Sequence, residues 1–390
     1  MTSPGSEVLG PTFRVGGTSL EGSLRIGVVG VGLMGADHAR RLSTRIAGAT
    51  LTAIADPDGE RARTLADELG GVTVHDDPLA LIAADDVDAV LLSSPGSVHE
   101  EQLLACIEQG KQVLCEKPLT MDSESSLRVI EAERAAGRAL VQVGFMRRFD
   151  PEYVRLHELI GSGRLGRTLL LHQTHRNKSV PNPDFRSEMI VRDSLVHEVD
   201  CARWLLGEEI VSIQVISPAP TSHALTGVID PQVTIFRMAS GAVVTNEVFV
   251  NSRTGYEVRC EAVGEEGSAI IGRPWGEVYT TLADPAGGDG AWGGPIVPDY
   301  RVRFERAYDV EVQAWVDATR RGESTGPTSW DGLASTVVCT AGMESLASGQ
   351  PVDVVLPESA VTAPTKTTPT TTTPTKTAPT KTAPTKSTSP

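Results

Sequence analysis

Two short stretches hold side chains able to move a proton or steady a developing charge. In Glu116-Lys117-Pro118 a lysine closes an apolar run, where its ammonium can hydrogen-bond and polarise a substrate oxygen. In Arg192-Asp193-Ser-Leu-Val-His197-Glu-Val-Asp200 an acid and a histidine stand at i and i+4, hence on one helical face, with Asp200 a turn further on. Histidine titrates near neutrality and a neighbouring carboxylate stabilises its protonated form, so the pair suits proton transfer. The same spacing fits an ordinary helix with a satisfied histidine and a capping aspartate, and Lys117 taken alone fits a surface cation. A metal centre is not indicated, because no third ligand stands at suitable spacing.

What these groups would act with is written further upstream. Gly30-Val-Gly32-Leu33-Met34-Gly35 follows an apolar run and opens the helical stretch Ala-Asp-His-Ala-Arg-Arg-Leu. Gly30 permits the tight turn, Gly32 lets the backbone approach a pyrophosphate, and Gly35 lets helix and strand pack closely. The pyrophosphate then rests on the helix N-terminus, where free N–H groups and the dipole favour anions. Asp56 follows Gly35 by about 20 residues, at the end of the second run. A carboxylate there accepts hydrogen bonds from adenosine ribose hydroxyls and repels a 2′-phosphate, so the expected cofactor is NAD rather than NADP. Ser94-Pro95 closes the run Ala89 to Leu92, with His99 just beyond. Carboxyl ends of such strands face the cofactor crevice, which brings Ser94, Pro95 and His99, and equally Glu116 and Lys117, to its wall. An alcohol handed to NAD needs a base for its hydroxyl proton. His197 would take it, Asp193 would orient the imidazolium, and Lys117 would hold the reacting oxygen.

The elements positioning these residues follow from periodicity. Leu24 to Gly30, Thr50 to Ala55, Ala89 to Leu92, Gln112 to Cys115 and Ala139 to Gly144 are continuous apolar runs separated by helical stretches. That pattern marks a parallel sheet covered on both faces, a doubly wound α/β Rossmann domain over residues 24–144. From Phe145 the pattern turns to alternation, with Val233 to Phe236 and Val243 to Val250 flanking a hairpin turn at Ser240-Gly241. An α+β domain with a large, mainly antiparallel open sheet is expected over 145–356, with helices around Asp193 to Leu206 and Tyr308 to Ala318. Residues 1–23, rich in Ser, Gly, Thr and Pro, read as a disordered arm, and 357–390, repeating Thr-Ala-Pro-Thr-Lys, as an extended, solvated tail.

Composition excludes several classes. A net charge of −15 without a basic stripe disfavours nucleic acid. No apolar run approaches the roughly 18 residues that span a bilayer, and the N-terminus lacks the basic and apolar regions of a secretory signal, so a cytoplasmic protein is expected. Its five cysteines are odd in number and lack a C-x-x-C pair, which argues for reduced, mostly buried thiols.

Together these motifs resemble the Gfo/Idh/MocA oxidoreductase family from about Leu24 to Leu346. The likeness extends to Val143-Gly-Phe-Met-Arg-Arg-Phe-Asp150, His175-Arg-Asn177, Glu247-Val-Phe-Val-Asn251 with Gly255-Tyr256, Arg303-Phe-x-x-Ala-Tyr308-Asp-Val-Glu311 and Gly326-Pro-Thr-Ser-Trp-Asp331. The resemblance implies NAD-dependent oxidation of myo-inositol at its axial hydroxyl to 2-keto-myo-inositol, in a homotetramer built through the open sheets. It matches Lys117, Asp193 and His197 to the family's catalytic trio, and Arg147, His175, Asn177 and Tyr256 to positions surrounding the polyol. Phe149 stands where related sequences often carry Tyr. Other cyclitols or sugars (scyllo-inositol, D-chiro-inositol, an aldose) would use the same trio, and a non-catalytic NAD-binding sensor would keep the fold.

Overall fold

The computed structural model describes residues 13–15, 18–20, 22–272 and 296–358. Most of the Thr/Pro/Lys tail and the glycine-rich stretch Ala283 to Gly294 lie outside the described residues. Within the arm expected to be without structure, β1 (Phe13–Val15) and β2 (Thr18–Leu20) form a two-stranded antiparallel ladder.

The first sheet is wholly parallel. It comprises β3 (Leu24–Val29), β4 (Ala49–Ala55), β5 (Thr73–His75), β6 (Ala89–Leu92), β7 (Gln112–Glu116) and β8 (Val141–Gly144), in the order β5-β4-β3-β6-β7-β8. Five of these are the apolar runs read from the sequence. The three-residue edge strand β5 was missed because its exposed and half-buried residues carry no apolar run. The order reverses between β3 and β6, and such a switch point opens a crevice at the strands' carboxyl ends.

Connecting helices start where aspartates cap them. Asp58 accepts from Arg61 N at the head of α2 (Gly59–Glu68), and Asp77 from Leu79 N at that of α3 (Pro78–Ala83). Asp122 accepts from Ser125 N before α5 (Ser123–Ala136), each cap filling an orphan N–H. The helices α1 (Leu33–Thr44) and α4 (His99–Glu108) differ: no side chain caps either. After β8, Asp150 caps α6 (Pro151–Gly161), with proline at the first helical position.

The second sheet runs β14-β13-β9-β12-β11-β10-β15, from β9 (Thr168–Arg176), β10 (Ile210–Ile216), β11 (Gln232–Met238), β12 (Val243–Phe249), β13 (Glu257–Gly264), β14 (Ser268–Ile271) and β15 (Val352–Asp353). Its pairs are antiparallel except β12 with β9. The expected hairpin joins β11 to β12, with Gly241 at φ 90°. Alternation sends Leu171, Val244, Val248, Phe236 and Cys260 into the core. Against that face pack α8 (Val196–Leu206) and α11 (Ser329–Ser348), the latter begun by a capping box between Thr328 and Asp331. Two short helices, α7 (Ser187–Met189) and α9 (Tyr300–Arg303), complete the set with α10 (Glu305–Arg320).

The α10 helix returns to the first sheet and packs Val312, Trp315 and Val316 among Leu24, Ile26, Ile54 and Leu91. The segments on either side of residue 145 thus share a core, and the described residues up to Leu356 form one unit. All five cysteines are free and buried, as the sequence suggested. Among the described residues no helix is long and apolar enough to cross a membrane.

Candidate active site

The glycine turn is built for close approach. A side chain at Gly30, which sits at φ 80°, would meet Ser94 N at 2.6 Å, and one at Gly35 would lie 1.7 Å from Gly30 O. At Gly32 the space within 4 Å is empty. That glycine is the N-cap of α1 and offers no side chain, so the helix's first N–H groups remain available. These features fit a dinucleotide: a pyrophosphate has room beside Gly32 and donors at the helix N-terminus. A groove of about 680 Å³ runs past Gly30, Gly32, Asp56, Ser94, Pro95 and Val98. Leu33 is largely exposed, on the wall of an adjoining cavity, whereas Met34 is half-buried against the core.

Asp56, the residue just after β4, is almost fully buried. Its Oδ2 accepts from Val31 N at 2.7 Å, and its Oδ1 from Asp58 N at 2.8 Å and Arg61 Nη2 at 2.6 Å. Burial works to raise its pKa, but the hydrogen bonds from Arg61, Asp58 and Val31 outweigh it and hold the carboxyl below its ordinary value. It is a fixed anion.

His99, expected on the cofactor wall, lies beneath it. Its Nδ1 sits 2.9 Å from Pro118 O and its Nε2 2.9 Å from Ser94 O, so the ring ties together the loops after β6 and β7. The reason is its place at the first turn of α4, which faces the sheet with His99 1% exposed. Ser94 Oγ donates to Gln102 at 2.5 Å. Glu116 is likewise engaged, its Oε1 2.8 Å from Nε2 of the buried His38.

Lys117 does meet the Asp193 segment, but through the backbone: Nζ donates to Asp193 O at 2.8 Å. The expected side-by-side Asp193 and His197 are not in hydrogen-bond contact. Residues Ile190–Leu195 form a π-helix, whose wider turn changes the i to i+4 relation before α8 begins. The Asp193 carboxylate is instead held bidentately by Arg192 at 2.7 and 2.9 Å.

His197 is buried, with Nδ1 lacking any partner among the described residues. Burial first, then the charges of Lys117, Arg147 and His175, push its pKa well below the ordinary histidine value. The imidazole is therefore neutral and able to accept a proton. Around it stand the rings of Phe145 at 6.4 Å and His175 at 6.2 Å, and Tyr256 lies 5.6 Å from His175. Burial drives the Tyr256 hydroxyl up to about 12, so it stays a donor at neutral pH. Asn177, just after β9, has its side-chain oxygen buried without a protein partner among the described residues.

Arg147 differs from the expectation of a polyol contact. Its guanidinium is 1% exposed, pairs with the fully buried Glu198, and lies 3.3 Å from His175 Nδ1. Glu198 Oε2 is 3.2 Å from the same nitrogen. Arg147 thus underpins His175 from behind. Nearby, Arg148 engages Asp200 and Asp331, which Arg203 also reaches at 3.1 Å. Sequence reasoning missed Glu198 and Arg61. Both sit on helices beside residues that were singled out, and neither belongs to a spacing that would mark it.

Residues 24–145 match the model of the oxidoreductase family with the NAD-binding Rossmann fold, and 153–270 match that of the GFO/IDH/MocA C-terminal domain. The chain belongs to the GFO/IDH/MocA oxidoreductase family. Its first sheet is accordingly the family's NAD-binding domain. An inositol 2-dehydrogenase of Saccharopolyspora erythraea is 54% identical over 86% of this chain and 97% of its own length. One from Mycolicibacterium smegmatis is 52% identical over 86% and 98%. The crystal structure of a Lactobacillus casei myo-inositol dehydrogenase, in complex with NAD(H) and myo-inositol, superposes with a TM-score of 0.79. It is 30% identical, covering 86% of this chain and 98% of that one. Within this family the chain is an oxidoreductase that uses NAD.

Proposed function

We propose that this GFO/IDH/MocA protein oxidises the axial hydroxyl of myo-inositol to the ketone, 2-keto-myo-inositol, in the catabolism of inositol. The observation carrying this reading is that relatives more than half identical, aligned over nearly their whole length, are inositol 2-dehydrogenases. The site's chemistry agrees. Bound NAD supplies the hydride acceptor. His197, kept neutral by burial and by neighbouring cations, takes the hydroxyl proton. With Nδ1 enclosed, Nε2 is the nitrogen that meets the substrate. Lys117, its ammonium tethered to Asp193 O, donates to the reacting oxygen and damps the charge that grows there as the proton leaves. His175, Asn177 and Tyr256 offer donors and acceptors to the remaining hydroxyls, while Arg147 and Glu198 hold His175 in place. Asp193 fixes the lysine through its carbonyl.

The protein acts in the cytoplasm as a homotetramer. Buried, unpaired thiols support the reducing compartment. The second sheet's outer face, bearing Leu170, Val233, Ile235, Val243 and Phe249, supports assembly through that face. Light scattering of the purified protein should give four times the chain mass; a monomer overturns the assembly.

The function is tested by NADH absorbance at 340 nm across inositol isomers and aldoses. Myo-inositol should give the highest kcat/KM. A higher value with scyllo-inositol, D-chiro-inositol or an aldose reassigns the substrate, and no turnover with any of them supports the sensor.

A further inference from the structure

The adenosine end of the groove holds an arrangement that a lone acidic residue does not explain. An ionised carboxylate offers about four acceptor positions, and three on Asp56 are already taken by Val31 N, Asp58 N and Arg61 Nη2. About one remains for a ribose hydroxyl. Arg61 is half exposed, and its second terminal nitrogen is 3.9 Å from Asp58 Oδ2, too far for a hydrogen bond. Together with Gly32, Arg61 lines both the nucleotide groove and a second cavity of about 540 Å³ between α1 and α2. Arg61 is thus the charged side chain common to the two linings. The walls of the second cavity carry Asp58, Glu60 and Glu68 against Arg40 and Arg61, and Arg40 is committed to Glu68 through two bonds of 2.7 Å.

We infer that Arg61 is the cofactor-selecting partner of Asp56: a latent 2′-phosphate ligand that Asp56 keeps occupied. While the pair is intact, the guanidinium's charge is spent on Asp56 and the cavity beyond is acidic, so a 2′-phosphate meets repulsion without compensation. Once the Asp56 carboxylate is removed, the freed guanidinium presents its planar fork to the phosphate, the geometry to which arginine is suited. Preference for NAD over NADP in this chain is then a property of two residues. The inference rests on NAD binding in this groove and is independent of which polyol is oxidised.

Calorimetric titration with ADP and with adenosine 2′,5′-bisphosphate tests it without turnover. Wild-type protein should bind ADP more tightly. Asp56→Ser should gain at least tenfold in affinity for the bisphosphate, and Asp56→Ser/Arg61→Ala should lose that gain while retaining ADP. If Asp56→Ser no longer binds ADP, because Val31 N and Asp58 N lose their acceptor, Asp56→Asn takes its place in the same comparison. The ratio of kcat/KM for NADP to that for NAD should follow the same order. A double variant that binds the bisphosphate as tightly as the single one overturns the inference, as does no gain in either single variant. Absence of NADH formation by wild-type protein that still shows these affinities would strike the proposed reaction and leave this inference standing.

Discussion

The nucleotide groove and the proposed polyol site draw on different elements, the first sheet's carboxyl edge for the one and β9 and α8 for the other, and they are made of different materials. The phosphate end of the groove is backbone and space: Gly32 opens onto nothing within 4 Å, and the uncapped start of α1 supplies the donors. The crevice is side chains set on buried charge, with Arg147 and Glu198 sealed behind His175, and Arg148 and Asp200 close by. A backbone site tolerates changes that spare the turn. A site standing on buried ions depends on residues that never touch substrate, since an ion stripped of its partner stays in a medium that cannot solvate it.

Removing the groups proposed to act on the reaction should have the largest effect and should split the two regions cleanly. Lys117→Ala and His197→Ala are each expected to lower kcat with myo-inositol by about 10³-fold, within the range general acid-base and electrostatic groups contribute. The Kd for NAD, from titration of intrinsic fluorescence, should change less than about threefold, on the order of 0.6 kcal/mol. A comparable loss of NAD affinity would mean that the two regions are one.

The converse perturbation is Gly35→Ala. The new methyl would fall 1.7 Å from Gly30 O, a backbone atom with no way to yield. NAD binding should be lost while the crevice residues are untouched, and unfolding by circular dichroism should show a lowered Tm. Normal NAD affinity would show that the turn can relax.

Behind the crevice, Glu198→Ala strands the Arg147 guanidinium among Tyr153, Phe304 and His175. Breaking a buried pair from one side costs about 3–5 kcal/mol, a large share of an ordinary domain's stability. Urea denaturation should register that loss. Replacing both partners with apolar residues, Arg147→Met with Glu198→Leu, should recover much of it without recovering activity, because His175 would remain unsupported. If Glu198→Ala is as stable as wild type, the pair is not the foundation described above.

The same contrast explains what the sequence disclosed. Glycine spacing, the strand-end Asp56 and the apolar runs of β3, β4 and β6 to β8 obey local rules, so the first domain's strands and its glycine turn could be read from the sequence, whereas the placing of His99 beneath the groove wall could not. Pairings between distant segments obey no local rule. Nothing near Arg147 announces that Glu198, 51 positions on, will neutralise it, or that Trp315 of α10 will pack into the first sheet's core. Helical spacing also misled at Asp193, because the π-helix Ile190–Leu195 breaks the 3.6-residue period on which the inference stood. The contacts within the proposed trio were not legible either: Lys117 reaches Asp193 by the carbonyl, and Arg192 takes the carboxylate.

The smallest effect expected is a shift along the pH axis, and it probes the crevice's buried charge directly. His197 has its pKa depressed in the folded protein, by burial first and by Lys117, Arg147 and His175 after it. His197, the proposed base, therefore remains unprotonated below the ordinary histidine value of about 6.5, and the acid limb of kcat/KM should fall below that pH. The linkage runs the same way. Between the lowered folded pKa and about 6.5 the unfolded chain binds a proton that the folded chain does not, so stability rises with pH across that window and levels off above it. His197→Gln removes the titrating group. Its unfolding free energy should lose less than wild type's on acidification from pH 6.5 to 5, whatever its value at pH 7. Parallel curves for the two proteins, with an acid limb above 6.5, would mean that His197 is protonated in the resting site and that the base is another group.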